Sequence, residues 1–153
     1  MVTWIDGALP DADRRAIEDL IVEHAWLLDH GRWHDVAQLY VDDGTLTLGA
    51  HTLVGRDQFH KWADTRAANS ARQTHHQCTN IRLRPDEEGA SGTVMLVLHV
   101  SDSGQSPYVD FIGEYRDRYA RDNHGHWRFG ARVLHPLAAA ADQQQSATGT
   151  NNA

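Results

Sequence analysis

Apolar residues in the first 70 positions recur mainly at helical spacing. The first such segment spans 13–29, and one face of it carries Ile17, Leu20, Ile21 and Leu28. A shorter helix is predicted at 33–40, and a third begins near Asp57 with a buried side made of Phe59, Trp62 and Ala63. Alternating segments at 45–48 and 52–54 indicate two short strands between these helices.

The second half of the chain changes to a period of two, which is typical of strands. Four strands are predicted, at 76–84, 90–100, 108–119 and 126–134, and most of the links between them are short turns. Short turns join antiparallel neighbours, and helices that precede a sheet indicate an α+β fold. We expect a strongly bent, mostly antiparallel sheet wrapped around the N-terminal helices. Such a cone has a mouth where a small molecule could bind.

The length of 153 residues, 41% of them hydrophobic, is enough for one domain with one core. We place that domain at 13–136, after an N-terminal extension at 1–12. Residues 137–153 are rich in Ala, Gln, Ser, Thr and Asn without apolar periodicity, and we expect a disordered tail there.

The net charge and the cysteine content exclude several classes of partner and site. Fourteen Lys and Arg against 21 Asp and Glu give a net charge of −7, which disfavours nucleic acid and anionic membranes as partners. No apolar stretch is long enough to span a membrane. Cys78 is the single cysteine, so it can form neither an intramolecular disulfide nor a cysteine-based zinc site. We expect a cytoplasmic protein.

Eleven histidines invite a search for acid–base chemistry near neutral pH. His76 opens the first long predicted strand, and Asp29 ends the first helix. Adjacent strand residues point to opposite faces, so His75 and His76 cannot easily share a metal, and no metal site is expected. Two alternatives stay open: Asp29 could be a solvated helix-terminal carboxylate, and His75 could be the inward histidine instead.

Several short motifs, in their order and spacing, resemble the SnoaL-like and scytalone dehydratase-like branch of the NTF2-like superfamily. That branch includes hexachlorocyclohexane dehydrochlorinase and bile-acid dehydratases. The resemblance covers about 12–136 and implies the mixed, mostly antiparallel cone fold of the superfamily. Its motifs are Leu-Asp-x-Gly-x-Trp-x-x-x-Ala-x-Leu-Tyr from Leu28 to Tyr40, Val54-Gly55-Arg56-Asp57, His76-x-x-Thr79-Asn80, Gly113-x-Tyr115-x-Asp117, and Gly125-x-Trp127-Arg128-x-x-x-Arg132.

The resemblance implies that Asp29 pairs with His76, which removes a proton from carbon without a cofactor. It also implies that His99 is a second pocket histidine, although a slip of one residue would turn His99 to the other face of the sheet. Arg132 matches an arginine that could stabilise a departing anion. The alternative is an ion pair between Arg132 and Asp117 on the neighbouring strand.

Other residues are expected around the pocket. His24 lies near the centre of the apolar face of the first helix, so it is either a core residue or part of the pocket wall. The expected aromatic walls are Trp26, Tyr40, Trp62, Phe111 and Tyr115. The dehydratase branch places water-binding tyrosines where this chain has Trp26 and the Leu46/Leu48 strand. This difference favours an apolar pocket and a small hydrophobic cyclic substrate other than scytalone.

The leading functional hypothesis is a lyase, of the dehydratase or dehydrohalogenase type, that uses a His–Asp pair. One alternative is a ketosteroid-isomerase-like isomerase or cyclase, which needs a second buried acid such as Asp110 or Asp117. Another is a non-catalytic module that binds a small molecule or assembles with a partner. The open convex face of the sheet predicts a homodimer or homotrimer.

Overall fold

The helical part of the chain comes first, as the apolar periodicity predicts. Helix α1 spans Asp11–Asp29, a 3₁₀ helix spans Trp33–Leu39, and helix α2 spans Gly55–Ala68. The computed structural model describes residues 7–69 and 71–137. Helix α1 begins after Pro10, so it starts inside the predicted N-terminal extension. The predicted disordered tail lies outside the described residues, apart from Leu137.

Six strands form one sheet in the order β2-β1-β6-β5-β4-β3. Strands β1 and β6 run parallel, and the other neighbours run antiparallel. The α+β class and the mixed, mostly antiparallel sheet are therefore confirmed. The strands are β1 (Tyr40–Leu48), β2 (His51–Val54), β3 (Gln73–Asp86), β4 (Gly89–Ser101), β5 (Tyr108–Arg121) and β6 (Trp127–Pro136).

The sheet curls around the helices because its ladders are interrupted. Register shifts occur in four of the five strand pairs: β1–β6, β3–β4, β4–β5 and β5–β6. A bulge bends the strand that carries it and increases the local twist. The bends leave the sheet open and curled, with α1 packed mainly against β3 and α2 against β1 and the 3₁₀ helix.

The apolar face of α1 packs onto the concave side of the sheet. Ile17 and Ile21 are completely buried there, with Val94 and Leu96 of β4 and Phe129 of β6 in the same core. This core closes the end of the fold near the N-terminus of α1. The end near the C-terminus of α1 is left open as a cavity. Neither described helix combines the length and hydrophobicity that crossing a membrane requires.

Candidate active site

A cavity of about 420 Å³ lies between the C-terminal half of α1, helix α2 and the concave face of the sheet. Its volume is in the range of pockets that enclose a small organic ligand. Polar groups on the wall are His24, Thr74, His76, Arg66, Arg72 and Asp110. The rest of the wall is apolar or aromatic: Leu28, Leu46, Leu48, Leu96, Leu98, Leu134, Trp62 and Tyr115.

Asp29 and His76 meet at this cavity. Asp29 is the last residue of α1, and Gly31, with a φ of +70°, turns the chain away directly afterwards. Strand β3 supplies three donors to the carboxylate. His76 Nδ1 lies 2.6 Å from Oδ1, the His76 backbone N–H lies 2.9 Å from Oδ2, and the Thr74 hydroxyl lies 3.1 Å from Oδ1. These donors offset the unfavourable position of an anion at a helix C-terminus.

The charge on Asp29 fixes the proton on His76. Burial raises the pKa of Asp29, but the hydrogen bonds from His76 and Thr74 outweigh it, and the net pKa lies below the ordinary value. An ionised carboxylate only accepts hydrogen bonds, so His76 Nδ1 carries the hydrogen between them. In the neutral imidazole the lone pair is then on Nε2, which contacts no hydrogen-bond partner among residues 7–69 and 71–137. A candidate base therefore faces a cavity whose wall is mainly apolar and also carries charged side chains.

His24 is also buried at this cavity, at 1% exposure, as its place on the face of α1 predicts. Its Nδ1 lies 3.2 Å from Arg132 Nη1, and its Nε2 lies 3.1 Å from the Tyr40 hydroxyl. A guanidinium only donates, so Nδ1 accepts and Nε2 carries the hydrogen donated to Tyr40. Burial, followed by the positive charge of Arg132, lowers the pKa of His24 well below the ordinary value. His24 is thus held neutral with its lone pair occupied, which makes it unsuitable as a base.

Arg132 forms a closed ion pair with Asp117. Its Nε and Nη2 donate to the two carboxylate oxygens at 2.9 and 2.8 Å, and the Tyr119 hydroxyl donates to the same carboxylate at 2.7 Å. The guanidinium carbon lies 4.0 Å from the Tyr115 ring centre. Arg132 is completely buried and is not part of the cavity wall. Of the two expectations, the ion pair with Asp117 is correct, and Arg132 does not face a departing anion.

Trp26 is not a pocket wall, contrary to the prediction. It is 45% exposed and stacks on His30 at 4.2 Å. Residues 24 and 26 of a helix are separated by about 200° around its axis, so the inward position of His24 turns Trp26 outward.

His99 is also displaced from the predicted site. It pairs in register with His75, whereas His76 pairs with Leu98. Directly paired residues share a face, so the strand that turns His76 inward turns His75 and His99 outward. His99 lies 3.4 Å from Gln77 on that outer face.

Phe111 packs against the core without reaching the cavity. It pairs with Leu98, and the next pair is His99 with Val109, so Asp110 is the extra residue of a bulge. The bulged residue Asp110 lies on the cavity wall, whereas Phe111 does not. Tyr115 does line the cavity, as predicted.

The family assignment follows from the sequence match over this same region. A model of the SnoaL-like domain matches residues 12–133. The chain belongs to the SnoaL-like family. No curated protein matches the sequence significantly.

Solved structures share the fold of this SnoaL-like protein. An NTF2-like protein with a cystatin-like fold from Novosphingobium aromaticivorans has 24% identity and a TM-score of 0.74, over 88% of each chain. A candidate scytalone dehydratase from the same bacterium has 21% identity and a TM-score of 0.71, over 84% of this chain and 95% of its own. A protein of unknown function from Mycobacterium tuberculosis has 21% identity and a TM-score of 0.76, over 86% of this chain and 80% of its own. These structures share the fold of this chain, the curled α+β fold that the sequence predicts.

The sequence prediction missed three polar residues of the SnoaL-like cavity, Thr74, Arg66 and Arg72, and the first two had a signal in the sequence. Thr74 precedes His76 by two positions on β3, and strand alternation places both on one face. Arg66 follows Phe59 by seven positions and Trp62 by four, so helical periodicity places it on the inward stripe of α2. Both signals were present in the sequence. Over the described part of the chain, no three His, Cys, Asp or Glu side chains are grouped to hold a metal ion.

Proposed function

We propose that this SnoaL-like protein is a cofactor-independent lyase, of the dehydratase or dehydrohalogenase type, acting on a small hydrophobic cyclic substrate. The observation that carries the proposal is the hydrogen bond of 2.6 Å between His76 Nδ1 and Asp29 Oδ1. That bond leaves the other ring nitrogen free at a cavity walled largely by leucine side chains.

The proposed step is a β-elimination. His76 Nε2 takes a proton from a ring carbon, and the C–H electron pair becomes the new carbon–carbon double bond. The leaving group departs from the neighbouring carbon with its bonding pair, either as halide or as hydroxide that takes a proton from the His76 imidazolium and leaves as water. Asp29 stabilises the imidazolium that forms, and it holds the ring in the tautomer whose Nε2 can accept the proton.

Tyr115 supplies a hydrogen-bond donor in the same cavity. It is 2% exposed, and its hydroxyl donates to no residue among those described. Burial raises the pKa of Tyr115 far above its ordinary value, so the phenol keeps its proton. A protonated phenol can stabilise an oxygen or halide that gains negative charge during elimination. The leucine walls exclude water and strengthen these interactions.

The alternative functions receive less support. A ketosteroid-isomerase-like site needs a buried acid that is free to donate, whereas Asp117 is held by Arg132 and Asp110 by Arg72. An assembly module would have its cone filled by side chains, whereas this cavity is open. A module that only binds a small molecule would not need the paired imidazole that the cavity holds. These contacts favour the lyase over the isomerase and the module.

The experiment compares three histidine and aspartate variants on a panel of cyclic alcohols and halides, with products identified by NMR. We expect His76→Ala to lower the rate by about 10²- to 10⁴-fold, because a positioned base contributes that much. Asp29→Asn should lower it by about 100-fold or more, because the tautomer of His76 is no longer fixed.

His75→Ala is the matched control, because His75 is the adjacent histidine and faces outward. It should retain the wild-type rate. Elimination at the wild-type rate by a folded His76→Ala protein would refute the proposal.

Assembly and location stay predictions as well. We expect a homodimer or homotrimer, which sedimentation equilibrium of the purified protein would test, and a location in the cytoplasm.

A further inference from the structure

Helix α2 carries a charged residue at the end of its inward apolar stripe. Phe59 and Ala63 of this stripe are buried, and Trp62 lines the cavity. Arg66 is the next inward position and lines the cavity beside Trp62. Arg66 is only partly buried, so its guanidinium is within reach of both the cavity and the solvent.

The guanidinium of Arg66 has no anionic partner among the residues that the structure describes. Among residues 7–69 and 71–137, no carboxylate lies within ion-pair distance of it, and none of its N–H groups donates to a described residue. The other arginine on the cavity wall, Arg72, is held by Asp110 at 2.6 Å. The contact that Arg66 does make is with the Trp33 ring, whose centre is 5.8 Å from the guanidinium carbon.

The electrostatic environment of Arg66 disfavours its own charge. Burial, followed by the positive charge of Arg72, lowers the pKa of Arg66. The C-terminal end of α2 partly compensates, because cations are stabilised at the last turn of a helix. A bound anion would remove the repulsion and fill the donors that the protein leaves open.

We propose that Arg66 binds a carboxylate of the ligand, so that the cavity takes a hydrophobic ring compound bearing one carboxylate group. This inference rests on the proposed function only in calling that ligand the substrate. A guanidinium binds a carboxylate through two parallel N–H···O bonds, a geometry that a lysine cannot reproduce.

The charges of the cavity also orient such a ligand. Asp29 is ionised and repels the carboxylate of the ligand, whereas Arg66 attracts it. The other carboxylate on the wall, Asp110, is already paired with Arg72. The carboxylate would therefore lie at Arg66 on α2, and the apolar ring would lie among the leucines next to His76. The cavity volume of about 420 Å³ accommodates one or two rings.

The test measures binding without turnover, using 2-naphthoate and 2-naphthamide, which have nearly the same shape and differ in charge. Isothermal titration calorimetry on the full chain should show naphthoate binding about tenfold tighter than naphthamide, as charge-assisted bonds predict. This preference should weaken as salt is added. Arg66→Gln should abolish the preference, and Arg66→Lys should keep only part of it.

Arg14→Gln is the matched control, because Arg14 is an exposed arginine on α1 that pairs with Glu18. It should leave the preference intact, and circular dichroism would verify that every variant is folded. His76→Ala should also keep the preference, which separates this inference from the proposed reaction. Equal binding of the two compounds, binding of neither, or an unchanged preference in Arg66→Gln would each overturn the inference.

Discussion

Two histidines contact the same cavity, and the protein uses them in different ways. His24 has a partner at each ring nitrogen, namely Arg132 and Tyr40. His76 has a partner at one ring nitrogen, Asp29, and its other nitrogen is open to the cavity. His24 is almost completely buried and His76 is largely shielded from solvent, so burial alone does not identify a candidate base. The distinguishing feature is the nitrogen that the fold leaves without a partner.

The two buried carboxylates show the same contrast. Asp117 accepts three hydrogen bonds, two from Arg132 and one from Tyr119, and this group is closed. Asp29 also accepts three, but one of its donors is the imidazole that faces the cavity. We therefore expect the Arg132 group to contribute mainly to stability and the Asp29 group mainly to chemistry.

The largest loss of stability is expected when the hydrogen-bonded group of Arg132, Asp117 and Tyr119 is broken. Arg132→Met should lower the free energy of unfolding by about 3–5 kcal/mol, because it leaves Asp117 buried without a counter-charge. Urea unfolding followed by circular dichroism measures this change. Arg116→Met is the control, since Arg116 is an exposed arginine on the same strand as Asp117, and it should change stability by less than about 0.5 kcal/mol. A loss in Arg132→Met as small as in the control would contradict this division of roles.

A smaller effect is expected from the titration of His24. The folded protein keeps His24 neutral because burial and Arg132 lower its pKa, whereas the unfolded chain binds a proton below about pH 6.5. Stability is therefore lost progressively as the pH falls below that value. Above pH 6.5, His24 contributes no pH dependence.

The measurement for His24 is a series of urea unfolding curves across this pH range. His24→Gln is the informative variant, because glutamine can donate and accept hydrogen bonds but does not titrate. Its stability should fall less steeply with acid than that of the wild-type protein. Parallel curves for the two proteins would show that another group causes the acid sensitivity.

The smallest stability effect is expected at the open histidine. His76→Gln should lower the free energy of unfolding by about 1 kcal/mol, because one hydrogen bond is weakened. Asp29 keeps the Thr74 hydroxyl and the backbone N–H of residue 76 as donors. Thermal unfolding compared with Arg132→Met would rank the two groups. A loss at His76 that equals the loss at Arg132 would contradict the contrast.

The fold was largely predictable because its signals are local. Helical spacing in α1 identified the inward face and placed His24 on it, and alternation in the second half identified four long strands. Helical spacing in α2 also predicts that Arg66 lies on the inward side. The predicted inward side ended at Ala63, about one turn before Arg66. The prediction that Trp26 lines the pocket disagrees with this helical spacing, which places Trp26 on the exposed side of α1.

Strand faces were harder to predict, because they depend on register and bulges. The pairing of His75 with His99 decides that both point away from the cavity when His76 points in. The bulge on β5 brings Asp110 to the cavity wall. Neither feature has a signal within one strand, since a register is a relation between two strands.

The amino-acid sequence by itself determined the α+β class, the order of the elements and the residue types available for proton transfer. These depend on the local spacing of apolar residues and on composition, and both can be read directly from the amino-acid sequence. Tertiary structure decided which of those groups have all their hydrogen-bonding atoms occupied by partners and which keep an atom that faces the cavity. It paired Arg132 with Asp117, closed His24 and left one nitrogen of His76 free, because hydrogen-bond partners far apart in the chain become neighbours only when the sheet curls around the helices.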